Sequence, residues 1–146
     1  MNDPLQPGEL THLDAQGRAR MVDVGDKPET HRGAIAVATV LMAPASLERL
    51  RTHSGPKGDA LQVARIAAIM AAKRCAELIP LCHPVRLVSV QVDMELDVGR
   101  SVALLRVQAE AVDRTGVEME AMTAAAVGAL TIYDMLKSVD KGMRIT

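Results

Sequence analysis

Apolar residues alternate with polar ones in some stretches of this chain and recur every three or four positions in others, and the two periods mark different elements. Gly116–Lys137, GVEMEAMTAAAVGALTIYDMLK, is apolar around most of its helical circumference, with Glu118 and Glu120 at its start and Asp134 and Lys137 near its end. The pattern predicts a long helix opened by Gly116 and ending near Lys141-Gly142. A helix this apolar is buried or pressed against a partner, and its charges must be paired or used, because a lone buried charge is costly. Leu61–Leu78 has the same character, with Asp59 placed as its N-cap.

The period-2 stretches predict strands. Val85–Leu96 puts Val88, Val90, Val92, Met94 and Leu96 on one face, Asp97–Arg100 is a hairpin turn, and Ser101–Asp113 returns with Val102, Leu104, Arg106, Gln108 and Glu110 on its other face. Arg32–Ala43 reads as another strand, Ser46–Arg51 as a short helix, and Met143–Thr146 as the start of a last strand. Leu10–Leu13 and Ala19–Val24 are placed to form a short hairpin around Gly17. Thr52–Gly58 is a loop by composition, and Pro80 and Pro84 bracket a stiff connector. The order β-α-β-β-α predicts an α+β fold, a ferredoxin-like sandwich: one antiparallel sheet with two long helices on one face, plus the N-terminal hairpin. One domain spans residues 1–146. Both helices carry more apolar surface than one sheet face can cover. A second subunit is the simplest partner, so a homo-oligomer is expected.

Composition narrows the function. With 17 basic and 18 acidic residues the net charge is −1, which gives no electrostatic case for nucleic acid. A single Tyr and no Phe or Trp leave no aromatic platform for stacking bases. Uninterrupted apolar runs are too short to span a membrane, and MNDPLQPGEL lacks the basic start and apolar run of a signal peptide, so a cytoplasmic location is expected. Cys75 and Cys82 make no disulfide framework.

Four groups of residues carry candidate chemistry. Asp134 and Lys137 lie one turn apart and are within reach of each other on the helix surface; an ordinary i,i+3 ion pair is the plain reading, an acid–base pair the functional one. Glu118 and Glu120 are about 200° apart on a full helix. Acids in a first turn are favourable in themselves, yet a carboxylate there also suits the amino and ring N–H donors of a guanine-like or pterin edge. Fourteen residues separate Glu120 from Asp134, about 21 Å along a helix. The two therefore serve different ends of a long ligand, or one site draws on two subunits. Cys82-His83 sits in the Pro-bracketed loop, where a buried thiol and a satisfied imidazole compete with an acid–base His; the cysteine spacing speaks against a metal, and no metal site is expected. Lys57-Gly58-Asp59 leads into a helix N-terminus, which favours anions without forming a Walker motif. Lys73, Arg74 and Arg65 add positive charge along that helix.

These segments together resemble the molybdenum cofactor biosynthesis protein C (MoaC) family, the cyclic pyranopterin monophosphate synthases. The matching stretches are MVDV at Met21–Val24, KGD at Lys57–Asp59, ARIA at Ala64–Ala67, AAKR at Ala71–Arg74, IPLCHP at Ile79–Pro84, TGVEMEA at Thr115–Ala121 and TIYDMLK at Thr131–Lys137. They run from the N-terminal hairpin to the last helix, so the resemblance covers nearly the whole chain. The resemblance implies a lyase that converts 3′,8-cyclo-7,8-dihydroguanosine 5′-triphosphate to cyclic pyranopterin monophosphate and pyrophosphate, in molybdopterin biosynthesis. It implies catalytic roles for Asp134 and Lys137, joined by His83 and Lys57. Leu81, Cys82, His83, Met119 and Glu120 would line the base pocket with Glu118 in support, and Lys57, Arg32 and Lys73 would meet the triphosphate. It implies a hexamer built as a trimer of dimers with sites at subunit interfaces, and no required cofactor, Mg²⁺ with the triphosphate being an open alternative. Family members usually continue into a strand and a Gly/Lys-rich tail with a further active-site lysine, so the resemblance implies either that the chain runs on past Arg144-Ile145-Thr146 or that this protein does without that lysine. Two rivals stand beside this reading. A non-catalytic ligand-binding module on the same fold would not need an acid–base pair. An RNA-binding module is disfavoured by charge and aromatic content, and salt-dependent polynucleotide binding would revive it.

Overall fold

The first strand, β1 (Thr30–Leu41), turns Ala34, Ala36, Ala38 and Val40 inward and leaves Ile35 and Val37 more than half exposed on the opposite face. The structure, a computed structural model, describes residues 11–146. After β1 come α1 (Pro44–Arg51), α2 (Ala60–Lys73), the single turn α3 (Cys75–Leu78), β2 (Leu87–Asp97), β3 (Val102–Asp113), α4 (Glu118–Leu136) and β4 (Arg144–Ile145). β3 pairs antiparallel with β1 along its whole length, from Thr30 opposite Asp113 to Leu41 opposite Val102. β2 pairs with the other edge of β3, and β4 with the end of β1, giving the order β2-β3-β1-β4. Helices α2 and α4 pack on the sheet, α4 against β1 and β3 and α2 against β2. The ferredoxin-like α+β sandwich predicted from the pattern is the one observed.

Small residues set the closeness of the layers. Ala103, Leu105, Val107, Ala109 and Ala111 on β3 are essentially inaccessible, and Ala121, Ala124, Ala125 and Ala129 of α4 lie buried above the sheet. A Cβ on Gly128 would stand 2.8 Å from Leu105 Cδ2 and 3.3 Å from Ala68 Cβ, so only glycine lets α4 approach α2 and β3 this closely. Ile132, Leu136, Leu50 and Val40 close one end of the core, and a smaller cluster of Ala109, Ala111, Val117 and Ala121 closes the other. The start of α2 lies beside the end of α4, where Gly55 approaches Leu136, and the end of α2 lies beside the start of α4, where Cys75 Sγ is 3.5 Å from Thr123 Oγ1. The two helices are therefore antiparallel neighbours. Among the described residues no helix is long and apolar enough to cross a membrane.

Four local predictions are corrected. The helix expected over Leu61–Leu78 ends at Lys73. Arg74 leaves helical geometry at φ −114° and ψ 14° with its N–H turned back to Ala71 and Ala72, and the chain restarts as α3 with Cys75 aimed at Thr123. Val88 is not on the inner face of β2: a register shift between Leu87 and Ser89 turns it out, 56% exposed, and Leu87 packs inward instead. The last helix starts at Glu118 rather than Gly116 and stops at Leu136. The N-terminal hairpin reduces to one bridge, Leu13 opposite Ala19, with Gly17 at φ +74° and Asp14 accepting from Gln16 N, Arg18 N and Arg18 Nε; Leu10 lies outside the described residues.

Candidate active site

Asp134 is exposed on the last turn of α4, and two lysines close on it from different elements. Lys137 Nζ lies 2.7 Å from Oδ1, and Lys57 Nζ donates to Oδ2 at 2.8 Å. Lys137 comes from the same helix end. Lys57 comes from the loop before α2, delivered there because Gly55 and Gly58 pair across a tight turn. Gly58 takes φ +97°, a conformation that favours glycine, and a Cβ on Gly55 would stand 3.0 Å from the Gly58 carbonyl. The hydrogen bonds from Lys137 and Lys57 hold the Asp134 carboxyl at about 2, and Asp134 in turn raises Lys137. The carboxylate thus outweighs any tendency of Lys137 to lose its proton. The result is an ionised base that accepts hydrogen bonds from two lysines.

A second group gathers at the other end of α4. Glu120 is 3% exposed, and burial is the main cause that pushes its carboxyl up, with Glu118 and Asp113 adding like charge. A cavity of about 160 Å³ opens beside it, lined by Leu81, Cys82, His83, Glu118, Met119 and Glu120 together with His12 and Thr115. The Pro80–Pro84 connector carries the first three of these and α4 the next three. A Cβ on Gly116 would meet the Glu118 carboxylate, so glycine here lets Glu118 fold back over the helix start. A neighbouring cavity of about 140 Å³ shares Glu120 and adds Lys73, Cys75 and Glu77. Burial pushes the Cys75 thiol up to about 11, so it is a neutral wall beside Glu120.

The expected site residues thus fall into two clusters. Lys57, Asp134 and Lys137 meet at one end; Leu81, Cys82, His83, Glu118, Met119, Glu120 and Lys73 meet at the other. Arg32 belongs with the second end, since it faces Ala111 across the sheet and Ala111 packs under Val117 and Ala121. Its Nε is buried with no hydrogen-bond partner among the described residues. Of the three basic residues expected at a triphosphate, only Lys57 stands by Asp134. α4 is continuous between the ends, so the separation of about 21 Å from Glu120 to Asp134 holds along it.

A family model described as the MoaC family matches residues 21–146. The chain belongs to that family. It is 58% identical over 137 residues to a cyclic pyranopterin monophosphate synthase of Thermomicrobium roseum, a match covering 94% of this chain and 82% of that protein. The proteins of the same name from a Roseiflexus species and from Roseiflexus castenholzii are 56% and 55% identical, each over 94% of this chain and 87% of the relative.

In this MoaC-family chain, sequence reasoning missed His12 and Thr115 as lining residues of the Glu120 cavity. His12 sits alone in a polar stretch and carries no local signal; Thr115 is the first residue of the matched TGVEMEA stretch and was legible by position. It also missed the direct Lys57–Asp134 bond, which joins residues far apart in the chain. Among the described residues no group of three or more His, Cys, Asp or Glu side chains is placed to hold a metal ion.

Proposed function

We propose that this chain is a cyclic pyranopterin monophosphate synthase, a lyase of molybdenum cofactor biosynthesis. It would convert 3′,8-cyclo-7,8-dihydroguanosine 5′-triphosphate to cyclic pyranopterin monophosphate with release of pyrophosphate. The observation that carries the reading is the Asp134 carboxylate bracketed by Lys57 and Lys137 in a chain 55–58% identical to proteins of that name.

The chemistry divides between the clusters. At the buried end, Glu120 accepts from the amino and ring N–H donors of the guanine-derived ring, and the connector Leu81-Cys82-His83 packs against its face. At the exposed end, Asp134 is ionised and accepts the protons released as the ring opens and the pterin ring closes, while Lys137 is protonated and returns them. Attack of a sugar hydroxyl on the innermost phosphate closes the cyclic phosphate and expels pyrophosphate, and Lys57 stabilises the charge that builds on the phosphoryl oxygens. Mg²⁺ carried by the triphosphate would arrive with the substrate; titrating Mg²⁺ into the assay reads its effect.

Arg32 and Lys73 lie with Glu120 and not with Asp134, so a substrate cannot use all three phosphate candidates and Asp134 within one chain. A site shared between subunits resolves this, with the Asp134 end of one subunit facing the Glu120 end of another. The exposed apolar side chains Val63, Ile66, Met70, Met122 and Leu130 on the helices, and Ile35 and Val37 on the sheet, supply surface for such an assembly. We place it as a hexamer, a trimer of dimers, in the cytoplasm. Incubating the purified protein with the cyclic nucleotide and measuring both pyrophosphate and the pterin product tests the activity; pyrophosphate without pterin, or neither, overturns it.

A further inference from the structure

His53 occupies the position just past the end of α1, and it does so at φ 54°. Its N–H bonds to Leu50 O at 3.2 Å and that of Ser54 to Arg49 O at 3.0 Å, the two hydrogen bonds of a Schellman motif. Glycine is the usual residue at that position because the left-handed region crowds any Cβ. A residue with a side chain persists there when surrounding contacts over-determine it. Here the contact is explicit: His53 Nδ1 lies 3.1 Å from Asp59 Oδ1. The same oxygen accepts from Leu61 N and Gln62 N and caps α2. The imidazole therefore ties the two ends of the Thr52–Gly58 loop together, and Lys57 is carried on that loop.

We propose that His53 is a positioning residue that presents Lys57 to Asp134 by clamping this loop to the cap of α2. The clamp, the Gly55–Gly58 bridge and the 2.8 Å bond from Lys57 to Asp134 form one chain of contacts from the end of α1 to the end of α4. His53 touches none of the reacting groups. Its role in turnover rests on the synthase reading above; its role in placing Lys57 does not.

The test uses His53→Gly and His53→Asn in the full chain, with Lys57→Ala as the reference for complete loss of the contact. Glycine removes the clamp and relieves the left-handed backbone, so His53→Gly should melt at or above the parent temperature. Carboxyl NMR should nevertheless show the Asp134 pKa rising from about 2 toward the value in Lys57→Ala. Asn tolerates the left-handed region and keeps an N–H donor for Asp59, so His53→Asn should recover part of the shift. In the synthase assay, kcat should fall about tenfold in His53→Gly with KM little changed, within the hundredfold that a misplaced catalytic group can cost. If Asp134 titrates in His53→Gly as in the parent, the clamp does not position Lys57 and the proposal is wrong. A parent protein without turnover would overturn the synthase reading alone, and the titration would still decide the clamp.

Discussion

Asp134 and Glu120 are both acids on α4, and their surroundings drive them in opposite directions. Asp134 is half exposed and held at about 2 by the hydrogen bonds from Lys137 and Lys57, below its ordinary 3.8. Because the folded value is depressed, whatever the ion pairs add to stability is complete above about 3.8 and fades as pH falls through about 2. At neutral pH Asp134 is a base. Asp134→Asn keeps the shape and removes the charge, so product formation should fall about 10²–10⁴-fold; melting at neutral pH should change little, since exposed ion pairs contribute weakly. Turnover at the parent rate would remove Asp134 from the chemistry. Glu120 is buried and its value is raised above 4.5. Its favourable contribution is therefore complete below about 4.5 and lost as pH climbs through the folded value. Glu120→Gln suffers no such loss. Its melting temperature relative to the parent should rise between about pH 4 and pH 8, while KM for the cyclic nucleotide increases. A difference in melting temperature that stays flat across that range would mean Glu120 is not strained by burial.

At the scale of elements, the α2–α4 contact depends on residues without side-chain bulk. Gly128→Val would drive branched carbons into Leu105 and Ala68 in a core without slack. It should cost about 2–3 kcal/mol and lower the melting temperature by about 5–10 °C. An unchanged melting curve would show that the helices have room to separate. The elements themselves were largely legible, because the inner faces of β3 and of β2 from Val90 onward alternate and both long helices are long apolar runs. Asp59 was legible as a cap from its place before an apolar run. What escaped was set by contacts between elements. Ala71-Ala72-Lys73-Arg74-Cys75-Ala76 is a run without a breaker, and the interruption at Arg74 follows from where Cys75 meets Thr123. Leu87 and Val88 are both apolar, so periodicity alone could not show which one a bulge turns outward. The Asp134–Lys137 pair was legible from one-turn spacing, whereas Lys57 reaches Asp134 only through the folded loop. His83 and Glu120 were each legible as candidates, but their shared cavity is a product of tertiary packing.

For the whole molecule, the decisive fact is that a rigid helix keeps the two clusters about 21 Å apart. A site built within one chain would need a ligand that bridges that length; a site shared between subunits needs only that the Asp134 end of one copy meets the Glu120 end of another. Mixing two inactive variants separates these cases. Asp134→Asn supplies an intact Glu120 end, and Glu120→Ala supplies an intact Asp134 end. If every site lies within one chain, no mixture contains an intact site and the blend stays inactive. If each site takes one end from each of two subunits, random reassembly of an equal mixture makes half the Asp134 ends intact and half the Glu120 ends intact, so about one quarter of sites are whole. Activity near a quarter of the parent should then appear after the variants are dissociated and reassembled together, and not when they are merely mixed as formed oligomers. A blend that stays inactive after verified subunit exchange would return both ends of the site to a single chain.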